Sequence, residues 1–284
     1  LIATSADTGD LLDLELRRGN AHTADGALPF LERLIDRVQK HVCEEIVVRI
    51  DAGFPNDPTL SALEKRGIHY VSRVKNNPVL DRMAKKHLHR PVGRRPKEPR
   101  TWLYEMEYRA ESWSRARRVV LVVLERQDEL FLHHFWLITN WTAEQMSAEA
   151  LLKMYRERGT AEGHFGELLS VLNPALSSSP RPKQVYAGRA PKKVRNSIDC
   201  FAVNEVRLLL NAWAYQAMHV CRTLLAAETG EGWSLQRFRE RLLKVAARVL
   251  LHGRRVTFVI ANSATELWGA LWRQLGRLAC PPTG

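Results

Sequence analysis

The sequence predicts an α/β fold: a mixed sheet flanked by helices, interrupted by a β-rich insertion and followed by a C-terminal helical region. Three observations carry this expectation. In the first 76 residues, short β-branched runs such as Ile46, Val47, Val48 and Ile50 alternate with stretches of helical periodicity. Between 77 and 141 the pattern changes to segments that alternate or cluster like antiparallel strands. From Phe201 onward apolar residues recur mainly at helical spacing.

Element by element, LIAT, a SADTGD turn and LLDLELRR read as a hairpin, with Asp7 and Asp10 as turn residues and Asp13 inside its second strand. Leu28, Leu31, Leu34, Ile35 and Val38 keep helical spacing over residues 25 to 40. The run that follows closes at Ala52-Gly53, which places Asp51 at the end of a buried strand. Two readings of Asp51 follow. It projects into the crevice beyond the sheet, where open α/β sheets bind ligands, or it is a turn residue ahead of a glycine. A short helix from Thr59 to Lys65 then leads into a strand at Ile68, Tyr70 and Val71.

Residues 85 to 100 hold seven Lys or Arg, two His and one Glu, and Pro91, Pro96 and Pro99 forbid regular helix, so an extended basic loop is expected. TWLYEMEYRAESW, RRVVLVVLER and LFLHHFWLITNW then read as strands. Trp102, Trp113 and Trp136 in them are read first as core packing and second as platforms for an unpaired base. A helix from Ala143 runs through Tyr155 to Glu162. Residues 181 to 195 contain Arg181, Lys183, Arg189, Lys192, Lys193 and Arg195 and no acid, a run suited to phosphate contact. A long apolar helix through Ala226, an amphipathic helix from Ser234 to Leu250 and a last one near Glu266 to Leu278 complete the chain, with Asn204 and Asn211 read as packing residues of the first. The expected divisions are 1–76, 77–141, 142–195 and 196–284.

The 284 residues carry 43 Lys and Arg against 31 Asp and Glu, a net charge of +12. The pI near 9.9 favours a polyanionic partner. With 45% hydrophobic residues the chain is no disordered polyelectrolyte. Cys43, Cys200, Cys221 and Cys280 form no C-x-x-C pair, so they read as buried reduced thiols in a cytoplasmic protein rather than as a zinc site or disulfide framework. No apolar run reaches the roughly eighteen residues that span a bilayer, so no membrane role is expected.

Tyr155, Arg158 and Glu162 are spaced three and four apart, which on one helix aligns them on one stripe. A carboxylate suits a hard divalent cation, while a guanidinium and a phenol suit phosphate oxygens. The competing reading is an ordinary i,i+4 ion pair on a solvated face.

Taken together, VVRIDAGF and YRERGTAEGHF resemble the two acidic motifs of the DDE transposases of bacterial insertion sequences. In that branch the second motif is Y-x-x-R-x-x-x-E-x6-K. Tyr155, Arg158 and Glu162 match it, and Leu169 stands where its lysine falls. LRRGNAHTADGALPFLERLI and FAVNEVRLLLNAWAYQAM resemble the family's flanking segments, so the likeness runs over nearly the whole chain.

The resemblance implies a ribonuclease H-like core and a cut-and-paste DNA transposase. Asp51 and Glu162 would be catalytic carboxylates holding two Mg2+ ions, with Mn2+ as a substitute. Tyr155, Arg158, Arg181, Lys183, Lys192, Lys193 and Arg195 would contact DNA. The partners would be transposon ends and target DNA, in a homo-oligomeric complex. The family's first aspartate lies on a strand ahead of the hairpin, and the chain opens at Leu1 without it. The expectation is therefore an N-terminally truncated chain with two exposed sheet edges that does not itself cleave DNA. A non-catalytic DNA-binding fragment and a metal-dependent nuclease without a joining step use the same features.

Overall fold

A computed structural model describes residues 1–90, 92–93, 98–127, 129–172, 176 and 198–279. The chain forms two compact units, one of Leu1 with Asn20–Gly159 and the other of Ile2–Gly19 with Thr160–Gly284.

The first unit is built on a five-stranded mixed sheet. Its strands are β3 (Val47–Ile50), β4 (His69–Val74), β5 (Arg100–Tyr108), β6 (Arg117–Glu125) and β7 (His133–Thr139), in the order β3-β4-β7-β6-β5. Only β3 and β4 are parallel. They are joined through α2 (Asp57–Lys65), the crossover helix a parallel pair requires. The three strands expected as an insertion form, and they extend the same sheet past β4. β6 shows why RRVVLVVLE is almost continuously apolar. Val119, Leu121 and Val123 face one cluster with α1 (Ala27–His41), α2 and α3 (Pro78–Lys85), while Val120 and Val122 face α4 (Ala148–Arg156) on the other side. A strand buried on both faces has no polar positions to alternate. α3 was not anticipated: Asn77 caps it, accepting from the Val79 and Leu80 amides, and Pro78 opens it. This helix ends at Lys85, where the region read as a basic loop begins.

The second unit holds β1 (Ile2–Thr4) and β2 (Leu11–Leu14), α6 (Ile198–Thr229), α7 (Leu235–Phe238) and α8 (Thr265–Ala279), around Tyr215, Leu225, Leu235, Phe238 and Leu271. The hairpin forms as expected, but it is a two-stranded sheet of its own and pairs with no strand of the five-stranded sheet. It packs instead on the second unit's own core through Ile2 and Leu11, and Gln216 on α6 donates to the Asp10 carboxylate at 2.6 Å and accepts from the Leu11 amide. Asp10 and Asp13 keep the turn and strand positions assigned to them.

The expected helix from Ser234 to Leu250 is corrected. Ser234 caps the four-residue α7, a wider π turn covers Arg239–Leu243, and the chain then turns into β8 (Ala247–His252), paired with β9 (Arg255–Ile260). Period-two apolar residues at 247, 249 and 251 decide for strand. Trp113 and Trp136 are buried in the sheet's core and Trp102 is half-buried, which leaves the first two no face for a base. Cys43 is exposed, against the expectation of a buried thiol. No helix among the described residues is long and apolar enough to cross a membrane.

Candidate active site

β3 ends at Ile50, whose side chain enters the core and whose carbonyl accepts the buried Ser72 hydroxyl of β4 at 2.8 Å. Side chains alternate along a strand, so Arg49 and Asp51 fall on the opposite face, the one covered by α4. Both find partners there. Arg49 donates to the Met154 carbonyl at 3.1 Å and meets the Glu157 carboxylate at 3.3 Å. Asp51 Oδ1 accepts from the Ala52 amide at 2.8 Å and lies 3.4 Å from the Arg158 guanidinium. Among the described residues nothing else contacts the Asp51 carboxylate, so Oδ2 is open on a side chain that is 57% exposed.

The turn reading of Asp51 is seen: its carbonyl accepts from the Phe54 amide. A crevice of about 510 Å3 opens directly after it, lined by Ala52, Gly53, Asn56, Lys75, Asn77 and Trp113 among others, and Asp51 itself is not part of that lining. Gly53 is needed at that point: a Cβ there would lie 2.6 Å from the Thr23 methyl.

The stripe of Tyr155, Arg158 and Glu162 is divided between two helices. Ser147 caps α4, which begins five residues later than the expected Ala143 and stops at Arg156, and α5 (Arg158–Glu167) starts after the turn at Glu157. Gly159, Gly163 and Gly166 give α5 low intrinsic propensity, which explains a break the spacing does not reveal. Tyr155 is buried against Phe135, with the Arg158 guanidinium 5.7 Å from its ring centroid. The phenol thus supports Arg158, which in turn faces Asp51. Arg49 is the residue of this group that sequence reading passed over. A lone arginine inside a β-branched run is its signal, since a cation facing a covered side needs a partner.

Glu162 belongs to the second unit and is exposed on α5. The residues that follow it are fixed by a buried polar cluster. Glu167 accepts from Arg222 at 2.6 Å and from the Leu235 amide, and Arg222 also meets His219 Nδ1 at 2.8 Å and His164 Nδ1 at 3.3 Å. Burial, together with the Arg222 and His219 charges, pushes His164 below the ordinary histidine range. His219 Nε2 approaches the Thr8 carbonyl at 2.8 Å, which ties the cluster to the hairpin turn. Burial raises the Asp10 carboxyl there, but hydrogen bonds from Thr8 and Gln216 and the nearby His219 outweigh it and hold the group below the usual range. Asn204 is buried on α6, while Asn211 is half-buried and donates to the Arg207 carbonyl of its own helix. Leu169, at the lysine position of the motif, is 56% exposed.

Arg181, Lys183, Lys192, Lys193 and Arg195 lie outside the described residues. Among the described residues no group of three or more His, Cys, Asp and Glu side chains is gathered as a metal cage. Asp51 and Glu162 each offer only carboxylate oxygens, the donor type that suits Mg2+ or Mn2+.

A comparison with solved structures finds a piggyBac transposase synaptic complex with hairpin DNA, at 11% identity and a TM-score of 0.40, covering 96% of this chain and 46% of that one. The chain thus spans less than half the length of that relative. A comparison with curated proteins finds no match. The model of the family described as transposase DDE domain group 1 matches residues 2–178 and 190–279, nearly the whole chain, and the protein belongs to that family of DDE transposases.

Proposed function

We propose that this chain is the catalytic part of a cut-and-paste DNA transposase, with Asp51 and Glu162 as two of the carboxylates that hold a pair of Mg2+ ions. The observation that carries the reading is the end of β3, where an exposed aspartate with one open oxygen stands 3.4 Å from the arginine of the second motif. Bound there, divalent cations would supply stabilisation of the charge that builds on the attacking and leaving oxygens of a phosphodiester. The chain's own residues do the rest. Arg158, held over the Tyr155 ring, offers its guanidinium to a phosphate oxygen, and Arg49 keeps the helix junction beside β3. In end cleavage a water oxygen attacks phosphorus and the 3′ oxygen leaves. In strand transfer that freed 3′ hydroxyl attacks a target phosphate, and the target strand's own 3′ oxygen leaves as the new phosphodiester forms.

Duplex DNA at transposon ends and target is the proposed partner, in a complex of more than one copy, and the basic residues from Arg181 to Arg195 are proposed to add phosphate contacts. The test is duplex binding by anisotropy with and without Mg2+. Magnesium should tighten binding by the unaltered chain, and Asp51→Asn and Glu162→Gln should each abolish that gain while leaving magnesium-free affinity in place. Binding indifferent to magnesium in all three proteins would replace this reading with that of a non-catalytic DNA-binding module.

A further inference from the structure

The arm made by β8 and β9 is unused by the site described above. Its two six-residue strands pair in unbroken register from Ala247 with Ile260 to His252 with Arg255, and no other strand joins them. Every residue of β8 and all of β9 but Ile260 are exposed. Period two sorts the arm into unlike faces. One face is apolar, with Val249 directly opposite Phe258 and Leu251 opposite Val256, the cross-strand pairs that hold an isolated ribbon together. The other carries Arg248, His252, Arg255 and Thr257 together with Leu250 and Val259, and Arg254 sits at the tip after Gly253, whose φ of 56° makes the turn.

Charge decides what this arm suits. Residues 241–265 contain five Lys or Arg and no Asp or Glu. Many arginines elsewhere among the described residues are spent on acids, such as Arg66 on Asp36, Arg118 on Glu105, Arg222 on Glu167 and Arg237 on Glu231. The side chains of Arg248, Arg254 and Arg255 make no ion pair or hydrogen bond among the described residues. Three unpaired cations on an exposed ribbon fit a polyanion. Against a second copy of the same arm they would meet only like charges, on a chain whose net charge is already +12. A two-stranded ribbon also fits the major groove of B-DNA, about 12 Å wide. At about 3.3 Å per residue, Arg248 and the His252–Arg255 pair stand roughly 13 Å apart along the arm, enough to reach separate phosphates.

We infer that the β8–β9 arm is a DNA-contacting element in addition to the residues proposed above, a basic ribbon that follows the duplex backbone through Arg248, Arg254 and Arg255. It rests on the reading that the chain handles DNA. The experiment is the salt dependence of binding to a random-sequence duplex, in magnesium-free buffer, for the full chain and for Arg248→Ala, Arg254→Ala and Arg255→Ala combined. The slope of log affinity against log salt should fall by about 3, and affinity near 0.1 M salt by on the order of a hundredfold. A control that removes Arg126, Arg237 and Arg273, each already paired with a carboxylate, should change the slope far less. Circular dichroism and melting curves should match for the proteins compared. An unchanged slope in the arm variant, with the parent binding normally, overturns the ribbon and leaves the transposase reading intact. A parent that does not bind DNA overturns that reading first. Loss of a dimer in Leu251→Ser with Phe258→Ser, at unchanged DNA affinity, would make the arm a contact between copies and also overturn the proposal.

Discussion

Arg117→Ala is the perturbation from which most can be read. This arginine opens β6 with its side chain 2% exposed and gathers α2 onto the sheet. It donates to both Glu64 oxygens at 2.8 and 3.1 Å, to Asp57 at 2.7 Å and to the Ser61 hydroxyl at 2.9 Å, and it stands 5.3 Å from the Trp113 ring centroid. Tyr70 donates to the same Glu64 at 2.7 Å. Removing the cation leaves Glu64, 8% exposed, without its main partner. Breaking a buried pair from one side costs about 3–5 kcal/mol. For a unit of this size each kcal/mol moves the melting temperature by roughly 2–4 °C, so the first unit should melt on the order of 10 °C lower.

The pH dependence gives a second, independent sign. In the intact protein burial raises the Glu64 carboxyl, but the Arg117 and Tyr70 hydrogen bonds and the Arg117 and Arg115 charges outweigh it, and the group lies below its ordinary value. Its contribution is present above the unfolded carboxylate range and is lost as pH falls through the folded value. Without Arg117 the burial effect is opposed only by Tyr70 and by Arg115, 2.6 Å from Glu64, so the acid-side loss of stability due to this group should be smaller in the variant than in the parent. Urea unfolding across the acid range measures both. A melting shift below about 2 °C, or a variant whose stability falls with acid as the parent's does, would refute the reasoning.

Three further outcomes are expected. Gly9→Ala should destabilise the second unit by about 2 kcal/mol in urea unfolding, because Gly9 has φ 78° and a Cβ would meet the His164 ring at 2.5 Å. His164, held below its ordinary pKa first by burial and then by Arg222 and His219, binds its proton more readily unfolded. The second unit should therefore lose stability as pH falls below about 6.5, and His164→Gln should flatten that part of the curve. Arg49→Met, which keeps the side chain's bulk but not its bonds to Met154 and Glu157, should speed amide exchange across Glu157–Gly159 with little change in global stability.

Sequence alone carried the alternation of strands and helices in the first unit, because VVRI, HYVSRV and RRVVLVVLE are buried on one or both faces and composition records burial directly. It also singled out Asp51 and Arg158, one as a metal ligand and the other as a phosphate contact; that the two meet at 3.4 Å is what the structure adds. What it did not carry depends on competition between weak local signals. The Asn77-Pro78 pair marks a helix start, yet the helix it opens is only eight residues long and went unread ahead of the basic run. Leu242 and Leu243 continue a helical count into 247–251, where a period of two takes over and the His252-Gly253 turn closes a hairpin. The break at Glu157 follows from the glycines of α5, each tolerable alone. The fate of the first hairpin was decided by partners some two hundred residues away, Gln216 and His219, which no local window contains.

The Ser72 hydroxyl on the Ile50 carbonyl acts as a registration peg. β3 is four residues long and meets β4 over four Cα pairs, so few bonds resist a slide by one position. Such a slip would exchange the two sides of the ribbon, sending Asp51 toward the apolar core and Ile50 toward Arg158. Aim in this protein is thus a matter of indexing: a single buried hydroxyl, with no charge and no part in the chemistry, fixes which way the acid points.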